Sequence, residues 1–330
     1  MSALNGEKLI KRVRRSAFLA DADINYTDTV ILEDLNDVMT QLYARAVIEA
    51  DQGVWQLTDY TPLIAGQRSY RLPARAVMGT LMRQQVSVVG DVDWWPMEDL
   101  SEADALRYEY NSYTTSPLDA PTRKIIRGEN WWLLPPVATT GGYVVRTHYM
   151  VRPSRICISQ TFGSGIPIGT ISAINATTRA LTINGLISSI GEDGSIGSAI
   201  VSGAQQIDIV RVGGWHKVQW TGTATFSGSG LTVTLASDPS GISEANDLSD
   251  IAIGDVVRVA DQTDWPALPA DYHRSLADAT AAKILTARGM ADRASELSQA
   301  YVVPDLQRFG DLLRPRDASS AFTFVAPEFA

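Results

Sequence analysis

Thr221-Gly-Thr-Ala-Thr-Phe226, followed by Ser227-Gly-Ser-Gly230 and Leu231-Thr-Val-Thr-Leu235, is the stretch that decides how the chain folds. Threonine, valine and phenylalanine stand on both sides of a short run of serine and glycine. Such residues suit a pleated, half-buried surface, and glycine supplies the backbone freedom of a tight turn, so the stretch predicts a β-hairpin. The arrangement recurs upstream, where residues 168–174 and 180–183 flank a turn at 175–179. Downstream, Ile253-Gly-Asp-Val-Val-Arg-Val259 reads as a further strand. From about Ser154 to Thr263 the composition is dominated by Gly, Ser, Thr, Ile and Val. Many short strands at close spacing predict a small all-β barrel or sandwich over residues 154–263.

Outward from this module the pattern changes on both sides. Ile10, Val13, Ala17 and Ala20 recur at helical spacing, with Lys8, Lys11, Arg12 and Arg15 on another face. Residues 28–50 carry an apolar stripe of Ile31, Leu35, Val38, Met39, Leu42, Ala46 and Val47, with Thr27 or Asp28 as the cap. From Gln67 strands are expected: one ending at Leu72-Pro73, one over 76–89, a hairpin of 123–127 and 131–134 around Gly128-Glu-Asn130, and one over 143–149. Ser101-Glu-Ala-Asp104 starts a short helix between them. After Pro269 helices return at 271–288 and 290–301, divided by Gly289. The order predicts an α+β fold in which helices from both chain ends form a bundle beside a strand-rich subdomain, with the β-module inserted and its junctions close in space. The expected divisions are 1–153, 154–263, 264–318 and a docking tail at 319–330.

With 330 residues and 45% hydrophobic content the chain can bury a sizeable core. Its 37 acidic residues against 28 basic ones give a net charge of −9, unsuited to gripping a phosphate backbone, where Lys and Arg must displace counterions. The single Cys157 allows no intrachain disulfide, and no apolar run is long enough to span a bilayer. A soluble product of the cytoplasm is the expectation, with no membrane partner.

Sites of chemistry are sparse. His148, His216 and His273 have no carboxylate or cysteine at metal-ligand spacing; His148 is expected on the polar face of a strand and His273 on a helix surface. Neither a nucleophile elbow nor a Walker loop is present. Gly163-Ser-Gly165 and Gly228-Ser-Gly230 read as turns, and the acidic run from Gly191 to Gly197 as a surface loop rather than a calcium site. Glu98-Asp99 and Glu192-Asp193 are paired acids only by composition. No catalytic, cofactor or metal residue is assigned, and no enzyme activity is expected.

Other residues point to contacts with partners. In Trp94-Trp95 and Trp131-Trp132, neighbours on a strand face opposite ways, so one ring of each pair needs a surface beyond the core. The stripe of Lys8, Lys11, Arg12 and Arg15 stands out against an acidic chain as a docking face. The tail bearing Phe322, Phe324, Val325 and Phe329 is too short for a core of its own and is read as lying against a partner.

Several short motifs then occur in a telling order: Gln67-Arg-Ser-Tyr-Arg-Leu-Pro73, Trp95-Pro-Met97, Ala120-Pro-Thr122, Trp132-Leu-Leu-Pro-Pro136, Tyr149-Met-Val-Arg-Pro153 and Leu268-Pro-Ala-Asp-Tyr-His273. Over about residues 4–152 and 265–314 the chain resembles the head-to-tail adaptor (connector, or head-completion) proteins of tailed bacteriophages, whose simpler members lack the β-module. The resemblance implies a structural virion protein: a homo-oligomeric ring, usually a dodecamer, bound beneath the portal protein with the next tail or nozzle protein below. Double-stranded DNA would pass through without sequence-specific binding, and tail fibres would be candidate partners of the β-module. The place implied is the head-tail junction of the virion, reached from the host cytoplasm during assembly. The alternatives are a carbohydrate-binding receptor-contact protein of the tail, a more distal tail-tube or nozzle ring, and a peptidoglycan hydrolase.

Overall fold

A computed structural model of the chain describes residues 4–21, 23–49, 55–89, 91, 93–111, 121–134, 136–138, 140–158, 169–184, 189–190, 196–197, 203–211, 216–227, 232–237, 247–263, 265–305 and 307–308. The chain divides into two compact units. One combines Met1–Leu9 with Trp55–His273, the other Ile10–Val54 with Arg274–Ala330.

The second unit is helical among the described residues. Helix α1 (Gly6–Ser16) opens with the Lys8 amide donating to Asn5 Oδ1 at 3.2 Å, and it ends where Phe18 turns to φ 55°. Helix α2 (Asp28–Glu49) is capped by Thr27, whose Oγ1 accepts the Val30 amide. Ile31, Leu35, Val38 and Met39 of its expected stripe are buried, as is Leu32 beside it, and Leu42 is half-buried. The side chains of Ala46 and Val47 lie outside the described residues. At the other end of the sequence, helices α4 (His273–Ala287) and α5 (Ala291–Leu297) are separated at Gly289, φ 76°, and α5 runs on through a π-turn over Ser298–Val302.

Ionic contacts tie the two ends of the chain within this unit. Arg12 meets Asp278 at 2.9 Å, Ser16 Oγ donates to the same carboxylate, and Lys283 bridges Asp34 at 2.6 Å and Asp37 at 3.1 Å. Asp278 has almost no exposed surface, so Arg12 and Ser16 supply the hydrogen bonds that its carboxylate loses on leaving water.

The other unit holds two small sheets and a barrel. In the first sheet β1 (Gln56–Pro62), β8 (Tyr143–Val151), β3 (Ala76–Val88) and β4 (Trp95–Pro96) lie side by side, all antiparallel. In the second the order is β2 (Ser69–Arg71), β7 (Asn130–Leu134), β6 (Arg123–Arg127) and β5 (Glu98–Asp99). Gly128 at φ 62° makes the β6–β7 turn, a conformation that a side chain would disfavour. The two sheets share a core of Leu63, Tyr70, Val86, Met97, Trp131, Leu133, Val137 and Val145. Helix α3 (Glu102–Asn111) begins with Ser101 Oγ accepting the Asp104 amide, and its Ala105 joins Ile125 and Leu134 in a satellite cluster.

The β-module is a barrel rather than a sandwich. Strands β10 (Gly169–Asn175), β11 (Ala180–Asn184), β16 (Thr232–Leu235), β15 (Val218–Phe226), β14 (Gly203–Val210) and β17 (Val256–Val259) close in that order. Alternate residues fill the interior: Leu181 and Ile183, Ile207 and Ile209, Ala224 and Phe226, Val233 and Leu235. A two-stranded ribbon of β12 (Ser189–Ile190) and β13 (Ile196–Gly197) stands apart from the barrel sheet. The chain enters through β9 (Arg155–Ile156) and leaves through β18 (Gln262–Thr263), which pair in parallel.

The fold therefore mixes α and β structure around a closed six-stranded barrel. Three details correct the sequence reading. The first strand is β1, beginning at Gln56 rather than after Gln67; its Gln-Leu-Thr-Asp-Tyr-Thr-Pro sequence has little apolar alternation because the strand is mostly half-buried. Strand β14 was not anticipated, and β15 begins at Val218, three residues before Thr221.

Candidate interaction surfaces and the barrel joint

The basic stripe of α1 presents three cations, not four. Lys8, Lys11 and Arg15 are exposed, whereas Arg12 is turned onto Asp278. Arg14, which the stripe did not include, is buried: its guanidinium meets Asp28 at 2.7 Å and donates to the Ala20 carbonyl at 2.7 Å. It closes the turn between α1 and α2. Phe18 and Ile24 in that turn stand 71% and 90% exposed.

The two tryptophan pairs differ: both rings of Trp131-Trp132 are covered by the chain itself, whereas Trp94-Trp95 leaves one ring exposed. Trp131 is fully buried and stacks on Tyr70, with ring centres 4.6 Å apart. Trp132 packs with the satellite cluster under α3, and the Arg127 guanidinium lies 5.2 Å above its ring. Trp94 is half-buried beneath Arg146, 4.2 Å from ring to cation, with Tyr60 alongside. Trp95 alone of the four is exposed, at 41%.

A buried ion pair fastens the barrel to the strand-rich part. Arg75, in the turn before β3, meets Asp208 of β14, which has no exposed surface. Arg75 also donates to the Arg152 carbonyl at 3.0 Å and to Ser154 Oγ at 2.9 Å, while Asp208 accepts the Asp261 amide at 2.9 Å. Arg152 pairs with Asp261 at 2.7 Å on the outside of the same joint. The phenol of Tyr149 is pushed well above its ordinary pKa, first by burial and then by the charge of Asp59. No motif in the sequence announced this network, because its members are scattered over Arg75, Arg152, Ser154, Asp208 and Asp261.

The histidines correct one expectation and agree with another. His148 lies on a strand, with Nδ1 3.0 Å from Thr58 Oγ1. His273 is not on a helix surface but fully buried, because it begins α4 where the chain returns from the barrel. The Leu4 amide donates to its Nδ1 at 3.1 Å, and its Nε2 lies 2.9 Å from the Leu268 carbonyl. His216, buried and held at φ 47°, is 5.2 Å from His273 and stacked on Trp265 at 5.9 Å. Burial, then the neighbouring His273, pushes the His216 pKa down to about 4. Burial also lowers that of His273, against the raising effect of nearby backbone carbonyls.

The paired acids Glu98 and Asp99 sit in separate ion pairs, with Arg123 at 3.0 Å and Lys124 at 2.9 Å. The runs 163–165, 191–195 and 228–230, Glu192 and Asp193, and the tail residues Phe322, Phe324, Val325 and Phe329 lie outside the described residues. Among the described residues no three His, Cys, Asp or Glu side chains group as metal ligands, and no helix is long and apolar enough to cross a membrane.

The sequence model of the family described as SU10 adaptor protein matches residues 5–175, just over half of the chain. The match takes in α1 to α3, both small sheets and the joint residues Arg75, Arg152 and Ser154, and it reaches through the first barrel strand; residues 265–314 lie beyond it. No curated protein sequence matches the chain. On the family match, which agrees with the order of motifs from Gln67 to Pro153, the chain belongs to the SU10 adaptor protein family, a family of structural adaptors of bacteriophages.

Proposed function

We propose that this adaptor is a virion protein that assembles into a ring at the head-tail junction, joins the portal to the next tail or nozzle protein, and lets DNA pass. The family match over residues 5–175 carries the reading. The helices of both chain ends act as one bundle that builds the ring. Residues 154–263 serve as an inserted module that braces neighbours or carries tail fibres. Residues 319–330 dock on the portal. The acidic balance of the chain suits a channel wall, since carboxylates do not hold the phosphate backbone that slides past them. A ring of this kind works by shape and charge, and no catalytic group is assigned to it.

The test is the mass and symmetry of the purified protein, alone and mixed with its portal, by light scattering and negative-stain microscopy. A ring, free or formed on the portal, is the expected result. A monomer that ignores the portal sinks the assignment.

A further inference from the structure

Two exposed features of the chain are opposite in charge and alike in carrying an aromatic ring. On α1, Lys8, Lys11 and Arg15 lie at i, i+3 and i+7, on one side of the helix, and all three are exposed. Arg12 and Arg14 are matched within the chain by Asp278 and Asp28, so it is these three that give the helix its outward positive face. The face ends at Phe18, which is 71% exposed and held at φ 55°. A bulky residue is rarely found in this left-handed region, and here the conformation places an aromatic ring in solvent at the end of a row of cations.

The other feature lies at β4. Trp95 is exposed, and the exposed carboxylates Asp91 and Asp93 precede it by four and two residues. The rings of Trp94, Trp131 and Trp132 are each covered within the chain, by Arg146, Tyr70 and α3 respectively. Trp95 is the member of the four whose ring still faces water.

We infer that these are the two halves of one contact between copies of this chain: Asp91, Asp93 and Trp95 of one subunit seat on the Lys8, Lys11, Arg15 and Phe18 face of α1 of the next. The argument rests on the ring reading above, since a closed ring of identical subunits needs a head-to-tail contact with two different complementary patches on each copy. The occupant is a second copy rather than DNA. Three cations on an otherwise acidic chain give little for a phosphate backbone, whereas a carboxylate-flanked tryptophan meets both the charge and the exposed ring of α1. Trp95 against Phe18 supplies the apolar centre, and the charges set register and exclude wrong pairings.

The experiment uses full-length chains in two charge-reversed forms, one with K8E, K11E and R15E, the other with D91K and D93K. Each reversed chain has like charges on both halves and is expected to need at least tenfold more protein to form the ring, alone or on the portal. Mixed in equal amounts, the two reversed chains again have opposite charges at every contact, and rings are expected to return. This rescue also shows that neither variant failed to fold. F18S, which removes no charge, is expected to weaken ring formation without the salt dependence of the charge-reversed chains. Wild-type rings with both reversed chains assembling as wild type overturn the contact and leave the ring reading standing. A wild-type chain that is monomeric both alone and on the portal overturns both.

Discussion

Asp208 has no exposed surface, yet it carries a charge whose partner, Arg75, is 133 positions away in the sequence. Removing one member of such a pair strands the other in a medium that solvates it poorly. Asp208→Ala is therefore expected to lower stability by about 3–5 kcal/mol, whereas replacing both, as Arg75→Met with Asp208→Leu, recovers most of the loss. Urea unfolding followed by tryptophan fluorescence measures both; an Asp208→Ala chain within about 1 kcal/mol of wild type excludes a structural role for the pair. The histidines give a second expectation at this scale. His216 and His273 are bases whose folded pKa values lie below the ordinary 6.5. The unfolded chain takes up their protons first, so the stability that they contribute is present above about pH 6.5 and is lost as pH falls towards about 4. For His216 the loss reaches at most about 3 kcal/mol. Protonation of His273 Nδ1 also removes the acceptor of the Leu4 amide, so the start of α1 should loosen in the same window. Thermal melts from pH 7.5 to 4.5 are expected to decline less steeply for His216→Phe than for wild type. Asp255, whose pKa burial raises, acts in the opposite sense in both chains and so does not mask the difference. Parallel profiles would show that the His216 ring is not under strain from burial.

At the scale of elements, closure of the barrel depends on a position without a side chain. Gly169 of β10 pairs with Val257 of β17 at the seam, and a Cβ placed on it would stand 1.6 Å from Ile183 Cγ2 and 3.2 Å from the Asn184 carbonyl oxygen. Ile183 is fully buried and has nowhere to retreat. Gly169→Ala should cost about 1–3 kcal/mol by overpacking, with faster amide exchange in β10 and β17 than in β14 and β15. Uniform exchange across all six strands would show that the seam is not the weak point. The sequence made the hairpins β10–β11 and β15–β16 legible because Thr, Val and Ile alternate around turn residues. It concealed β14, whose Gly-Ala-Gln-Gln-Ile-Asp-Ile-Val mixes polar residues with a buried aspartate. A carboxylate on the outer face of a barrel strand reads as a solvated residue until its arginine is found on another part of the chain. The same holds for Arg12, Arg14 and His273, whose partners lie 14 to 269 positions away or less than a turn from a helix start. By contrast the tryptophan spacing was informative in part: within each pair one ring is more deeply buried than its neighbour. What it could not tell is that α3 and Arg127 cover Trp132, which left only Trp95 exposed.

For the whole molecule the open question is whether the barrel is a part of the core or a passenger on it. Its entering and leaving segments pair as β9 and β18, with the Cys157 amide donating to the Thr263 carbonyl at 2.8 Å, and Ile156 is buried where Gly6 of α1 approaches. These junction residues pair with each other and lie against the start of α1, so a useful deletion keeps them and removes residues 160–259. Because β9 and β18 are parallel, the replacement must run back along the ribbon, and about eight Gly and Ser residues suffice for that span. The shortened loop lowers the entropic cost of closure, but Arg75 loses Asp208 and keeps the Arg152 carbonyl, Ser154 and the more distant Asp261. The deletion is therefore expected to fold cooperatively with a reduced melting temperature. Arg75→Met within it should recover part of the loss, although the same substitution in the full chain strands Asp208 and destabilises. This reversal of sign between the two backgrounds is the measurement, made by circular dichroism melts on all four chains. If the barrel is an inserted module, the shortened chain also assembles into rings as the full chain does, since both halves of the inferred contact lie before residue 100. An insoluble shortened chain, or Arg75→Met that destabilises both backgrounds, would make the barrel an integral part of the core.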